Sequence, residues 1–167
     1  MKMLLALGLL FATATAFAQK ITMEFDQAVD FSRFRTFAIR AEQLNSKNPS
    51  LNSELVKKRI TADIVKNLEA KGLEQTDVRP DLNIRYHLGS GSKREIETYP
   101  AGWYGTRVIA VRYAEGTLII DLRDPTTKSL VWRAIATQEE RDPMKIQKKL
   151  DDMVKKSFDK YPPKKSS

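Results

Sequence analysis

The 167-residue sequence contains no cysteine, one histidine (His87) and two tryptophans (Trp103 and Trp132). Without cysteine there is no disulfide scaffold, no thiol nucleophile and no thiolate-ligated zinc, and a lone histidine excludes a multi-histidine metal site. Long apolar runs are scarce as well. The longest, Met3 to Ala14, is a dozen residues, short of the roughly 20 that a membrane-spanning helix needs. What the chain does have is charge. Lys and Arg number 29 against 21 Asp and Glu, for a net +8, with 30% charged and 41% hydrophobic residues. That balance suits a soluble globular chain, and the length suits a single domain.

The first eighteen residues read as an address. Lys2 is the only charge before Gln19, the apolar run follows, and Ala16-Phe17-Ala18 closes it. A basic start, a short apolar segment and a small-x-small site occur in the order of a secretory signal. Cleavage before Gln19 leaves 149 residues at net +7. With no cysteine at the cleavage site, no lipid anchor is expected. The mature chain is then periplasmic and soluble, with no transmembrane segment. Such a compartment offers no ATP, nicotinamide cofactor or chromosomal DNA, so no cofactor or nucleic-acid partner is expected, and the residue types above offer no metal site. A basic surface there faces an anionic glycan, an anionic lipid surface or an acidic protein.

Residues 19–163 read as one α+β domain, followed by a polar tail at 164–167. Ile21, Met23 and Phe25 alternate with polar neighbours, the mark of a half-buried strand. Arg35 to Ile39 reads as a second strand and Glu42 to Asn48 as loop. Leu51, Leu55, Ile60, Ile64 and Leu68 recur near helical period, so a helix is expected over about 50–71. Asn48 or Ser50 would cap it and Gly72 would end it. Leu82, Ile84, Tyr86 and Leu88 alternate again. Gly89 to Arg107 holds four of the seven glycines and reads as a long mobile loop. Strands are expected at Val108–Tyr113, Thr117–Arg123 and Leu130–Gln138, the last two joined by a tight Asp124–Lys128 turn. Asp142-Pro143 opens a helix whose stripe runs Ile146, Leu150, Met153, Val154, Phe158. The economical arrangement is a two-layer sandwich, a largely antiparallel sheet of about five strands with both helices on one face.

Several blocks in order carry a resemblance. They are Val29-Asp30-Phe31-Ser32-Arg33-Phe34, Leu68-Glu69-Ala70-Lys71-Gly72-Leu73, Pro80-Asp81-Leu82, Gly116-Thr117-Leu118-Ile119-Ile120-Asp121-Leu122, Lys128-Ser129-Leu130-Val131-Trp132-Arg133 and Tyr161-Pro162-Pro163. Together they resemble domain-of-unknown-function family 4136, bacterial envelope proteins that are mostly lipoproteins. The resemblance implies an envelope location and a small α+β fold, and it supplies no catalytic residues. The departure here is the missing lipid-attachment cysteine.

Candidate chemistry is thin. His87 lies on the polar side of its strand beside Asn83 and Arg85, with no nucleophile or orienting carboxylate implied by sequence. Ser90-Gly91-Ser92-Lys93 matches a serine–lysine spacing, but that chemistry needs a helical turn and the glycines argue against one. Asp121, Asp124, Glu139, Glu140 and Asp142 lack the spacing of a calcium loop and read as turn, cap and strand residues. Asp121, on the exposed side of its strand, is placed to pair with Arg133 across the hairpin.

Two surfaces remain. Tyr99, Trp103 and Tyr104 are large amphipathic rings in a glycine-rich segment, of the kind that stack on sugars or anchor proteins. Arg94 and Arg107 could meet an anionic group beside them. On the last helix Lys145, Lys148, Lys149, Lys155 and Lys156 share the face opposite the apolar stripe, a solvated face or an anionic-surface site. The leading expectation is a non-enzymatic envelope binding or accessory domain with an unknown partner. The alternatives are an envelope hydrolase or lyase acting through the Gly89–Arg107 loop, and a basic module for anionic lipid or glycan surfaces. Mass spectrometry of the exported protein should find its N-terminus at Gln19; a retained Met1 there would reject the signal reading.

Overall fold

The computed structural model describes residues 19–46, 49–89, 93–100, 106–113, 116–138 and 143–164. Among the described residues, eight strands and two long helices occur in chain order. These are β1 (Lys20–Phe25), β2 (Thr36–Asn45), α1 (Glu54–Glu69), β3 (Glu74–Gln75), β4 (Leu82–Gly89), β5 (Lys93–Pro100), β6 (Thr106–Tyr113), β7 (Thr117–Arg123), β8 (Leu130–Thr137) and α2 (Pro143–Phe158). Six strands form one open sheet in the order β1-β8-β7-β4-β2-β3, and β5 and β6 form a separate two-stranded sheet. The α+β class and the two helices agree with the sequence expectation.

The sheet has one strand more than expected, and it is mixed. β1–β8, β8–β7 and β7–β4 are antiparallel, whereas β4–β2 and β2–β3 are parallel. The reason is α1. It lies between β2 and β4 in sequence and returns the chain to the start of the sheet, which is what a parallel pair requires. β2 also runs through Glu42 to Asn45, where a loop was expected. An irregularity between Ile39 and Ala41 shifts the alternation by one residue, so Glu42 turns toward α1. There it accepts from Thr61 Oγ1 at 2.7 Å and pairs with Lys57 Nζ at 3.0 Å. Tyr86 completes the cluster, its hydroxyl 2.9 Å from Thr61 Oγ1 and donating to the Lys57 carbonyl at 3.0 Å.

The helix boundaries are set by local hydrogen bonding. Pro49–Leu51 is a short 3-10 turn, and α1 begins only after Ser53, whose side chain accepts from the Val56 N–H. Ser53 is therefore the cap, in place of Asn48 or Ser50: the proline sits in the preceding turn, not in the helix. At the other end Gly72 takes φ +85°, which lets the Leu73 N–H return to the Leu68 carbonyl at 3.1 Å.

Alternation assigns the faces. Leu82, Ile84, Tyr86 and Leu88 of β4, Leu118, Ile120 and Leu122 of β7, and Trp132, Ala134 and Ala136 of β8 all enter one core. Val56, Ile60, Ile64 and Leu68 of α1 and Ile146, Leu150, Met153, Val154 and Phe158 of α2 meet them there. Both helices thus cover the same side of the sheet and pack against each other. Trp132 is fully buried. It stacks on Phe158 with ring centroids 5.6 Å apart and meets Tyr161 edge-on at 5.7 Å. Phe25, Phe31 and Phe34 extend the cluster through edge contacts.

The face away from the helices holds an ion pair. Arg133 Nε and Nη2 donate to the two carboxylate oxygens of Asp121, each at 2.6 Å. The pairing was expected; its burial was not, since Asp121 and Arg133 are each 1% exposed. Both charges lose water, and the bidentate geometry replaces that hydration. Arg123 Nη2 lies 4.0 Å from Asp121, and Glu24 lies 3.8 Å from Arg133. Replacing Trp132 by Ala empties the centre of the aromatic cluster and should cost about 3–5 kcal/mol. Chemical denaturation of the two chains checks this, and an unchanged midpoint would mean the packing is wrong.

Candidate functional site

Strand direction brings several connections of the chain to one end. β2, β4 and β8 run the same way and finish there, while β1 and β7 start there. α1 and α2 both begin at that end as well. Ile146, in the first turn of α2, touches Gly116 just before β7, and Phe158 at the other end of the helix stacks on Trp132. β5 and β6 leave from Gly89 and return at Gly116, so the hairpin also emerges there.

The segment from Gly89 to Arg107 is therefore not a long loop. It contains all of β5 and the start of β6, which pair antiparallel from Lys93↔Tyr113 to Pro100↔Thr106. Its glycines mislead because they flank the strands. Gly89 ends β4, Gly91 precedes β5, and Gly102 and Gly105 lie in the 101–105 connection, while 93–100 contains none. In this ladder Tyr99 stands opposite Arg107, and Arg94 stands opposite Arg112. Trp103 and Tyr104 fall outside the described residues.

Gly116 fixes the return of the hairpin. Its φ is +74°, and a Cβ there would lie 2.5 Å from the Gln138 carbonyl oxygen and 3.1 Å from Ile146 Cδ1. Its own carbonyl accepts the Gln138 N–H at 3.0 Å. Only glycine meets both the backbone angle and the close approach.

The other candidates separate. His87 is half-buried in β4, with Gln43 of β2 and Ile119 of β7 opposite it. Neither neighbour is a nucleophile or a carboxylate. Lys93 opens a strand, so it lacks the helical turn that serine–lysine chemistry requires; Ser90 lies outside the described residues. Asp124 is a turn residue whose Oδ1 accepts from the N–H groups of Thr126 and Thr127 at 2.8 and 3.0 Å. Glu139, Glu140 and Asp142 lie outside the described residues. Among the described residues, no group of three or more His, Asp or Glu side chains is placed to hold a metal ion. On α2, Lys145, Lys148, Lys155 and Lys156 are exposed and Lys149 is half-buried, and Lys156 pairs with Asp152 at 2.8 Å. Again among the described residues, no helix is long and apolar enough to cross a membrane.

The seam between α1 and α2 holds a charged cluster that the sequence reading missed. Arg59 Nε and Nη2 donate to Asp151 Oδ1 and Oδ2 at 2.6 and 2.7 Å. Asp63 lies one turn beyond Arg59 on α1, and Asp151 is its carboxylate neighbour. Two neighbouring carboxyls resist ionising together. Burial, reinforced by Asp151, pushes Asp63 up to about 6, while the hydrogen bond from Arg59 holds Asp151 below the usual range. The spacing of Arg59 and Asp63 by four is visible in sequence, but Asp151 lies 92 residues from Arg59, and only packing joins them.

A family model described as a domain of unknown function, DUF4136, matches residues 21–163. The chain belongs to the DUF4136 family. Its fold is similar to a DUF4136 family protein from Bacteroides thetaiotaomicron, with a TM-score of 0.60 and 18% identity over 86% of this chain and 96% of that one. A PDZ domain protein from Parabacteroides distasonis contains a similar unit, with a TM-score of 0.56 and 19% identity, covering 89% of this chain but 36% of that protein. A variant of PelC from Paraburkholderia phytofirmans, solved as a dodecamer, reaches a TM-score of 0.50 at 12% identity, covering 84% and 95%. No curated protein matches the chain.

The Asp63–Asp151 pair makes stability depend on pH with a definite sign. An aspartate raised from 3.8 to about 6 binds its proton more tightly when folded. Its penalty therefore develops as pH rises from about 4 to about 6 and stays constant above. Asp151 acts in the opposite sense at lower pH, its contribution disappearing as pH falls through its depressed folded value. Asp63→Asn should therefore raise the denaturation midpoint at pH 7.5, and the gain should shrink as the pH is lowered toward 4. Denaturant titrations across that range check both halves.

Proposed function

We propose that this protein is a non-enzymatic binding or accessory domain of the bacterial cell envelope, with the β5–β6 hairpin as its recognition element. One observation carries the reading. Two eight-residue strands form a ladder of their own, outside the six-stranded sheet, at the end where three strands finish and both helices begin. An isolated hairpin is marginally stable in water. Holding one beside a complete sheet is costly unless it meets something. Its connection carries Trp103 and Tyr104, and Tyr99 stands in its last turn of ladder opposite Arg107. Aromatic rings with arginine are the residue types that dominate binding energy at protein contacts.

Two further points support the reading. The leader-like first eighteen residues and the family resemblance favour the periplasm as the working compartment. PelC, similar in fold, is a dodecamer, which makes a protein partner the first class to test.

The experiment is capture from envelope extract with the chain from Gln19 as bait. That piece carries every described element, all of which lie between Gln19 and Lys164. Replacing Tyr99, Trp103 and Tyr104 together by Ser should leave the thermal transition in place and abolish capture of the recovered partner. A variant that folds and captures normally would move recognition away from the hairpin. One that unfolds would make the rings part of the core.

A further inference from the structure

The two edges of the six-stranded sheet are built differently. β3 closes one side with two residues, Glu74–Gln75, too short to template another strand. β1 closes the other, and its register against β8 runs unbroken from Lys20 to Phe25. It contains no proline, glycine or bulge, which are among the devices that blunt an edge. One hydrogen bond fixes where its backbone groups point. The Asp26 N–H donates to the Val131 carbonyl at 3.0 Å, one step beyond the Phe25↔Trp132 pair. Bonded and non-bonded pairs alternate in an antiparallel ladder. Lys20, Thr22 and Glu24 therefore bond to β8, while the N–H and C=O groups of Ile21, Met23 and Phe25 point away from it. Among the described strands, β1 pairs with β8 alone.

The side chains of this edge are complementary to themselves. Ile21, Met23 and Phe25 are half-buried at the margin of the core, so a further strand would cover the area they leave open. On the opposite face Lys20 is exposed at the start of the strand, and Glu24 and Asp26 are exposed at its end. A copy related by a two-fold axis sets start against end, bringing Lys20 to Asp26 twice. A parallel copy would set like charges side by side. Two further charges border the edge. Arg133 Nη1 lies 3.8 Å from Glu24, which leaves Asp26 as the main partner for Lys20; Asp26 Oδ1 accepts the Ala28 N–H at 2.9 Å. Lys160 Nζ donates to the outward Ile21 carbonyl at 3.2 Å. A lysine can fill a carbonyl but cannot satisfy an N–H, so it leaves the outward donors of β1 to water.

We infer that β1 pairs antiparallel with β1 of a second copy of this chain, joining the two sheets across a two-fold axis at Met23. Ile21 then stands opposite Phe25 of the second copy, and Lys20 opposite Asp26 of the second copy. The outward N–H and C=O groups exchange hydrogen bonds, and the Ile21 carbonyl gives up the Lys160 ammonium for a backbone N–H. That exchange loses one exposed bond and gains a ladder. The contact is one strand wide, so the dimer is weak, dissociating in the micromolar range or above. A strand of another protein would meet the same backbone groups, but it would need the same reversed order of charge. The inference does not rest on the hairpin reading.

Sedimentation equilibrium of the chain from Gln19 tests it. The mass should rise with concentration from monomer toward dimer. Met23→Pro removes an N–H that points away from β8, so it spares the ladder and should raise the dimer Kd at least tenfold. Lys20→Glu and Asp26→Lys alter exposed residues and decide the matter if the proline variant unfolds. Each alone turns two attractive contacts repulsive and should raise Kd about tenfold. An equimolar mixture of the two should associate like the unchanged chain, because both contacts of the mixed dimer again join opposite charges. Lys66→Glu, on α1, makes the same change of net charge and should have no effect. A chain that stays monomeric at every concentration, a dimer indifferent to Lys20→Glu, or a mixture no better than its components would overturn the pairing. The Tyr99, Trp103, Tyr104 variant should dimerise unchanged, which keeps failure of the pairing distinct from failure of the hairpin as a recognition element.

Discussion

The register of β7 against β8 decides which chemistry lies on which face of the sheet. Leu122 stands opposite Trp132 and Asp121 opposite Arg133. A slip of one residue would turn each side chain to the other face. Arg133 would enter the aromatic cluster among Phe158 and Tyr161, and Trp132 would displace the guanidinium from Asp121. Both outcomes leave a buried charge without its partner, a situation worth several kcal/mol. The turn between these strands reinforces the same register. Asp124 accepts two backbone N–H groups, and its own N–H donates to the Ser129 carbonyl at 3.1 Å.

From that register the rest of the molecule follows outward. β1 joins β8 with Phe25 opposite Trp132, so the aromatic cluster grows at the end where α2 finishes. β4 joins β7 with Tyr86 opposite Ile120, which carries the core under α1. The parallel β2–β4 pair then commits α1 to run back across the sheet, and α2, leaving β8, runs the same way. Parallel helices are the reason both helix starts, the hairpin and the Gly116 crossing share one end. The opposite end is occupied by the packed rings of Trp132, Phe158, Tyr161 and Phe31, and its residues are explained by burial alone.

The hairpin has no such explanation: it is a backbone feature, a ladder built outside the main sheet. Between the helices, the arginine fork from Arg59 to Asp151 ties the layer together.

Most of the fold was legible in the sequence because its elements obey strict periods. Leu82 to Leu88, Leu118 to Leu122 and the Ile146–Phe158 stripe each name their own structure, and each lies where the periodicity put it. The failures share a physical cause. Glu42 looked like loop because a bulge reverses the alternation of β2, and alternation is the only local sign of a strand that ends in polar residues. Lys93 to Pro100 looked like loop because glycines counted over the whole segment concealed that none lies inside the strand. Parallel pairing of β2 with β4, the burial of Asp121 and Arg133 and the meeting of Asp63 with Asp151 have no local sign at all. Sequence by itself determined the helices, most strands, the tight β7–β8 turn and the Asp121–Arg133 pairing, because each is a matter of neighbours along the chain. Tertiary structure alone decided strand order, which ion pairs lose their water and which surface residues share one end, because those depend on distances between residues that the chain keeps far apart.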